Sequence, residues 1–368
     1  MSHVKKRLSW ALTVASYNRH TILLDCVMRA LAQDPRPKEV VVVDASSNWQ
    51  EGKARAEKIC AQAGIPINYI SANRPSLAAQ RNQAIDAATA DILFMIDDDA
   101  LLFDGAATEI MSIYGADQEG EIAGIQLSIE ANPANAKASP DGTMPVERKV
   151  QGPSRRLQTS PLGQFLNREI FLMNAERLFI PYHGEYSRKA LPQSLRAFDV
   201  AQASLFTGCA MTYRRRIIEK VRFEGTLESY CPAEDLDASY RASQAGLLLL
   251  SRRAKLDHIE AAAGRIRRRI ATCLSATNVA FFVRRNATAK TSASAKYCIM
   301  LMRRVLAEFL KDLGSRRFTF PQFIGILQSI PIACRVLTID ENQLVDFYRD
   351  AQRGLLFPNS PKARSEKA

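Results

Sequence analysis

The sequence predicts an α/β fold built on a doubly wound, mostly parallel sheet. Short apolar, β-branched runs alternate with helix-length segments, at a spacing that fits strand–helix–strand units. Polar residues gather where those runs end, which is where such sheets bind ligands. The chain of 368 residues has room for a domain of roughly 250 residues and an appendage.

The elements follow in order. Residues 8–15 (LSWALTVA) read as a buried strand, and Thr21 to about Gln33 as a helix stopped by Asp34-Pro35. Glu39 to Asp44 (EVVVVD) has the continuous apolar character of a parallel strand covered on both faces. A helix over 51–63 closes at Gly64 and Pro66, and Ile67 to Ser71 is a third strand. A helix over 76–88 and a strand over 91–96 (DILFMI) complete the series. From about Glu130 to Arg196 the pattern fails, and a long irregular stretch of that kind is usually functional or mobile. Regular structure resumes from Gln202 to Tyr213, in a helix from about Ala233 to Ala245, and in a strand at GLLLLS. From Gly264 to Arg317 the chain reads as helical and strongly basic, with only Glu308 and Asp312 as acids.

Bulk properties bound the function. Hydrophobic residues make up 47% and charged residues 24%, as in an ordinary folded protein. A net charge of +12 favours a polyanionic partner: nucleic acid, anionic lipid or a phosphorylated substrate. Nucleic acid is the least favoured, because no reader motif is present and aromatics are only 8%. Cysteines at 26, 60, 209, 231, 273, 298 and 334 form no CxxC pair, which suits a reducing cytoplasm. The N-terminal MSHVKKRLSWALTV reads as the approach to a strand and not as a signal peptide. No apolar run approaches the roughly 20 residues of a spanning helix.

The sharpest chemical signal is Asp97-Asp98-Asp99, directly after a buried strand. Adjacent carboxylates repel one another, and a divalent cation relieves that repulsion. In an extended segment, residues 97 and 99 share a side and 98 faces elsewhere. The other reading is a solvated acidic turn. Asp44 also ends a buried strand, where an acid either accepts hydrogen bonds from a sugar or base or caps the turn that follows. Asn73, Arg74, Arg81 and Asn82 lie between the third strand and its helix, where an arginine either pairs with diphosphate or is an ordinary surface charge. Glu234-Asp235 opens a helix. Acids there complement the helix dipole, and one facing a cleft can serve as a general base. His258 follows the GLLLLS strand as either a structural residue or a ligand.

Taken in order, these segments resemble the family 2 glycosyltransferases of the GT-A fold, from about Leu8 to His258. The similarity rests on VASYNR (14–19), VVVVDASS, NRPSLAAQRNQAI, FMIDDDA, TGCAMTYRR (207–215) and EDLDASYRASQAG (234–246), closed by a strand and His. Two departures stand out: Arg74-Pro75-Ser76 occupies a place where small residues with glycine are common, and Gln83 one where glycine is frequent. The resemblance implies a nucleotide-sugar donor, a saccharide or lipid-linked acceptor, an inverting reaction, and Mg²⁺ or Mn²⁺. It implies that Ala15, Ser16, Tyr17, Asn18 and Arg19 wrap the nucleotide and that Asp44 meets the base. Asn73 and Arg81 fall on the donor side. Asp97 and Asp99 hold the ribose and the metal, with Asp98 also on the donor side and the choice of two among the three open; His258 is a further ligand to the metal, and Asp235 is the base. The expected layout is a catalytic domain over 1–260, with 130–200 as an acceptor-side insertion, followed by a helical basic region over 261–368.

Two features extend that expectation. Arg155-Arg156, Tyr182-His183 and Arg188-Lys189 make the insertion basic, suited to a phosphorylated or lipid-linked acceptor. Residues 298–313 read either as a helix lying on an anionic membrane, at the inner face of the cell membrane, or as one packed on the protein. A nucleotidyltransferase is a rival reading, but the first loop (ASYNRHT) lacks the glycine-rich phosphate cradle. A non-catalytic basic module is another.

Overall fold

The computed structural model describes residues 7–131, 161–186, 188–259 and 266–358. Two compact units emerge: residues 1–132, 187–225 and 234–264 form an α/β unit, and residues 133–186, 226–233 and 265–368 a helical one. Arg155-Arg156 and the early part of the irregular stretch lie outside the described residues.

The α/β unit is built on one nine-stranded sheet. Its first half is β1 (Trp10–Ser16), α1 (His20–Leu31), β2 (Glu39–Asp44), α2 (Trp49–Ala63), β3 (Ile67–Ser71), α3 (Leu77–Ala87) and β4 (Ile92–Ile96). These strands lie in the order β3-β2-β1-β4 and all run parallel. Val40 to Val43 are completely buried, as expected for a strand covered on both faces. Each predicted element of this half is present, with ends displaced by one or two residues.

The second half is less regular. It comprises β5 (Ala100–Leu102), α4 (Ala106–Ala116), β6 (Ile122–Ile129), β7 (Val200–Gln202), β8 (Ala210–Arg214), a short helix α7 (Arg215–Val221), α8 (Glu234–Ala245) and β9 (Leu247–His258). β8 runs antiparallel between β4 and β6, and the long β9 pairs in turn with β6, β7 and β5. β5, α4 and β6 went unassigned from sequence: β5 is too short to show a period, and α4 is too apolar to look amphipathic. The stretch from Gln202 to Tyr213 is two strands with a turn between them.

Within the helical unit, α5 (Pro161–Phe165) and α6 (Ala175–Leu178) are short. Four longer helices follow: α9 (Arg268–Asn286), α10 (Lys290–Gly314), α11 (Pro321–Thr338) and α12 (Glu341–Leu356). α9 is the core helix, burying Phe281 and Phe282, with Phe281 stacked on Tyr348 of α12 at 4.6 Å. None of the described helices is long and apolar enough to cross a membrane.

Candidate active site

Parallel β1, β2 and β3 end in register at Ser16, Asp44 and Ser71, so their last residues form one polar edge. Two groups of side chains sit along that edge.

The first is centred on Asp44, which is fully buried. Its Oδ1 accepts from the Ser46 backbone N–H at 2.8 Å and the Ser46 hydroxyl at 2.5 Å. Its Oδ2 accepts from the Tyr69 hydroxyl at 2.6 Å and meets His20 Nε2 at 3.0 Å. Burial, with the hydrogen bond to Asp44, pushes the Tyr69 hydroxyl well above its ordinary pKa. Ser46 Oγ in turn accepts from the Asn18 N–H at 2.7 Å, which ties the loop after β1 to the end of β2. Asn18 adopts a left-handed φ of 55°, a conformation asparagine tolerates well. Helix α2 passes so close that a Cβ on Gly52 would lie 2.3 Å from the Tyr69 hydroxyl. Ala15 and Ser16 end β1, and Tyr17 beyond them is 46% exposed. Gln80 of α3, buried, donates to the Ser16 and Val43 carbonyls at 2.9 Å each and so clamps the two strand ends.

The second group is centred on the three aspartates after β4. Antiparallel pairing of Ala100 with His258 sets Asp99 beside the end of β9. His258 Nε2 lies 3.1 Å from Asp99 Oδ1 and 3.9 Å from Asp97 Oδ2. Ligand atoms of Asp97, Asp99 and His258 all fall within 4.8 Å of one another. Burial alone would lower the His258 pKa, but hydrogen bonds to Asp99 and Cys209 raise it to about 11. Asp98 turns away: its Oδ2 accepts from the Ser16 hydroxyl at 2.8 Å, and its Oδ1 pairs with Arg19 at 3.0 Å. Burial lifts the Asp98 carboxyl to about 7, against the pull of Arg19. Arg19 also reaches Asp99 Oδ2 at 3.3 Å.

Arg81 links this group to helix α8. One guanidinium nitrogen contacts Glu234, and the other donates to Asp97 Oδ1 and the Gly208 carbonyl, each at 2.8 Å. Its flat face covers Phe223 at 5.3 Å. Burial opposes its charge, but Glu234, Asp97 and Asp235 hold it protonated. Burial pushes the Glu234 carboxyl up to about 8, with Arg81 pulling against it. Asp235 sits in the first turn of α8. It accepts from the Gly208 N–H at 2.7 Å and from the Leu236 N–H at 2.9 Å. Burial raises its pKa, again opposed by Arg81. A Cβ on Gly208 would come within 3.3 Å of both Arg81 and Asp235, so the turn before β8 needs a small residue there.

The structure therefore gathers Arg19, Arg81, Asp97, Asp99, Asp235 and His258 around one cluster, with Asp98 on its inner flank. Asp44 lies along the same edge in its own closed network. Asn73 is exposed on the loop after β3. Its backbone N–H donates to Gln83 Oε1 at 3.0 Å, while Gln83 donates to the Ser71 carbonyl at 2.9 Å. Gln83 thus closes by its side chain a loop that glycine would otherwise shape. Sequence reasoning passed over His20, Tyr69, Gln80, Cys209 and Gly208. Only Gly208 carried a signal, as the glycine of the small-residue turn TGCA.

The acids of both groups, together with Arg81, fall in a segment that a family model describes.

Residues 12–176 match Glycosyl transferase family 2.

The family 2 match ends before Gly208, Asp235 and His258, which the fold brings to the same cluster. Similar solved structures include GalNAc-T7 with UDP, GalNAc and Mn²⁺, at 13% identity and a TM-score of 0.49, covering 76% of this chain and 48% of that one. This chain thus spans about half of GalNAc-T7. TarS 1-349 of S. aureus in complex with UDP-GlcNAc is 13% identical with a TM-score of 0.49, covering 96% and 93%. The mannosyltransferase PcManGT from Pyrobaculum calidifontis, in complex with GDP-Man and Mn²⁺, is 14% identical with a TM-score of 0.49, covering 97% and 89%. No curated protein sequence matches the chain.

Proposed function

We propose that the protein is an inverting glycosyltransferase that moves a sugar from a nucleoside-diphosphate donor to an acceptor hydroxyl. The observation that carries this reading is the convergence of Asp97, Asp99 and His258 within 4.8 Å, beside Arg81 and Asp235, within a fold whose residues 12–176 match family 2.

The donor set fits a divalent cation. Two carboxylates supply the hard oxygen ligands that suit Mg²⁺ or Mn²⁺, and the imidazole adds a nitrogen ligand of the kind transition metals take. Asp97 keeps 32% of its side chain exposed, which leaves an open side for phosphate oxygens. Bound there, Mg²⁺ or Mn²⁺ would stabilise the charge that grows on a departing diphosphate. Cys209 and Arg19 orient the ligands from behind.

The chain's own residues account for the remaining steps. Arg81 holds Asp97 in place and balances the acids around it. Asp235 accepts the acceptor's proton as the hydroxyl oxygen bonds to the anomeric carbon and the carbon–diphosphate oxygen bond breaks. Its carboxylate is aimed by the Gly208 N–H, and its raised pKa makes it a stronger base than a surface aspartate. A single displacement of this kind inverts the anomeric centre. Ala15 to Arg19 form the wall along the nucleotide, and Asp44 fixes that wall through Ser46, His20 and Tyr69. Asn73 lines the donor side from the loop after β3. The acceptor is a saccharide or a lipid-linked saccharide of polysaccharide or glycolipid assembly, met from the cytoplasmic side.

A panel of UDP- and GDP-sugars with Mg²⁺ or Mn²⁺ tests the reading, scored for sugar release and thermal shift. Cation-dependent release from one donor class is expected. Equal behaviour with every donor and with chelator overturns the proposal.

A further inference from the structure

The helical unit carries an apolar surface that the catalytic reading leaves unexplained. On α10, Tyr297, Met300, Leu301, Arg304, Ala307 and Glu308 are buried. Ile299, Met302, Leu306 and Leu313 point outward, with Met302 66% exposed. Their spacing of three, four and seven residues makes one stripe along the helix. The neighbouring helix α11 adds exposed Ile324 and Leu327, and the turn between the two helices adds Phe318 at 71% exposure. Arg303 of α10 also donates to the Glu169 carbonyl at 2.6 Å, anchoring the segment that carries exposed Leu162, Phe165 and Met173. By contrast, the large hydrophobics exposed in the described part of the α/β unit are the scattered Tyr17, Met28 and Ile129. An exposed apolar stripe along α10, continued by Phe318 and α11, marks an interaction site.

Charge identifies the partner. The two acids of α10 are buried and spent internally: Glu308 binds Arg304 at 3.1 Å, and Asp312 accepts from the Gln322 and Phe323 N–H groups. Helix α11 contains no acid. Glu169 is paired with Arg177 and Arg303. On α10, α11 and the turn between them the exposed charges are Lys296, Arg316 and Arg335, together with Arg303, which is paired with Glu169. Two copies meeting through this face would set those cations against each other. An apolar stripe rimmed with cations suits the interface of an anionic bilayer, where the side chains enter the headgroup boundary and the cations meet lipid phosphate.

We propose that the α10–α11 face, extended by residues 162–173, docks the protein onto an anionic lipid surface without crossing it. The proposal does not depend on the sugar-transfer chemistry. It specifies a docking surface, whatever the acceptor is.

Flotation of the full chain with phosphatidylcholine vesicles, with and without phosphatidylglycerol, tests it. Wild type should float with the anionic vesicles, and rising salt should weaken the association. The double variant Met302→Asp, Leu306→Asp alters exposed positions and should reduce flotation by about ten-fold or more. Lys296→Glu should reduce it less. Circular dichroism melting confirms that each variant folds, and a Mn²⁺–UDP or Mn²⁺–GDP thermal shift reports the donor site separately. No flotation of wild type overturns the proposal, as does equal flotation of the double variant. It also fails if wild type forms a dimer that the double variant abolishes while neither floats.

Discussion

Two carboxylate clusters share the polar edge of the sheet, and they are built in opposite ways. Around Asp44 every oxygen is engaged within 3.0 Å and the side chain is wholly buried. Around Asp97 and Asp99 a histidine and two arginines hold the acids, while about a third of the Asp97 side chain stays open. Saturated, buried carboxylates act as architecture, because every hydrogen bond they can make is already made. Asp97, grouped with Asp99 and His258 and open on one side, keeps a face towards solvent. On the proposed reading, the contrast separates residues that shape the site from those that would meet a ligand.

The contrast should break most visibly at the open cluster. Asp235→Asn removes the proposed base while keeping its shape, so kcat should fall by roughly 10²–10⁴-fold. The cation-dependent thermal shift with nucleoside diphosphate should persist. A variant that turns over normally would show that the base lies elsewhere. At the closed cluster the loss should appear in stability. Asp44→Asn gives up charge-assisted hydrogen bonds, at a cost of about 3 kcal/mol in denaturant unfolding. An unchanged midpoint would show that the network is not structural.

Gly52→Ala tests the same cluster from the other side. The added methyl would press on Tyr69 and His20, with an expected loss of about 2 kcal/mol. Equal stability would show that the helix has room to shift. The smallest effect should be on pH. The proposed reaction needs the Asp235 carboxylate, and burial raises its pKa from the ordinary 3.8. Activity should therefore fall as pH drops through a value above 3.8, and that acidic limb should vanish in the residual activity of Asp235→Asn. A limb at or below 3.8 would show that Asp235 is not the titrating base.

Much of this edge was legible in the sequence, because β1 to β4 are continuous apolar runs whose polar ends mark the ligand side. Asp97, Asp99 and Asp235 were readable as acids at strand and helix ends. His258 was reached only through the family resemblance, because no local pattern shows its contact with Asp99: it arises from the Ala100–His258 register, and β5 is three residues long. Arg81 meets Glu234 across a separation of 153 residues, which no local pattern encodes. The saturation of Asp44 depends on Tyr69 and His20, ordinary residues whose roles arise from packing beside Gly52. The outward stripe of α10 was readable as amphipathic, whereas the burial of Glu308 and Asp312 that leaves its rim cationic needed the folded helices.

Titration calorimetry of Mn²⁺ with UDP and GDP addresses the central claim most directly, on wild type and on Asp97→Asn, Asp99→Asn. The account predicts that at least one nucleoside diphosphate binds wild type only when Mn²⁺ is present, and that the double variant loses this binding while keeping its fold. Binding of equal strength in chelator, or in the double variant, would contradict it.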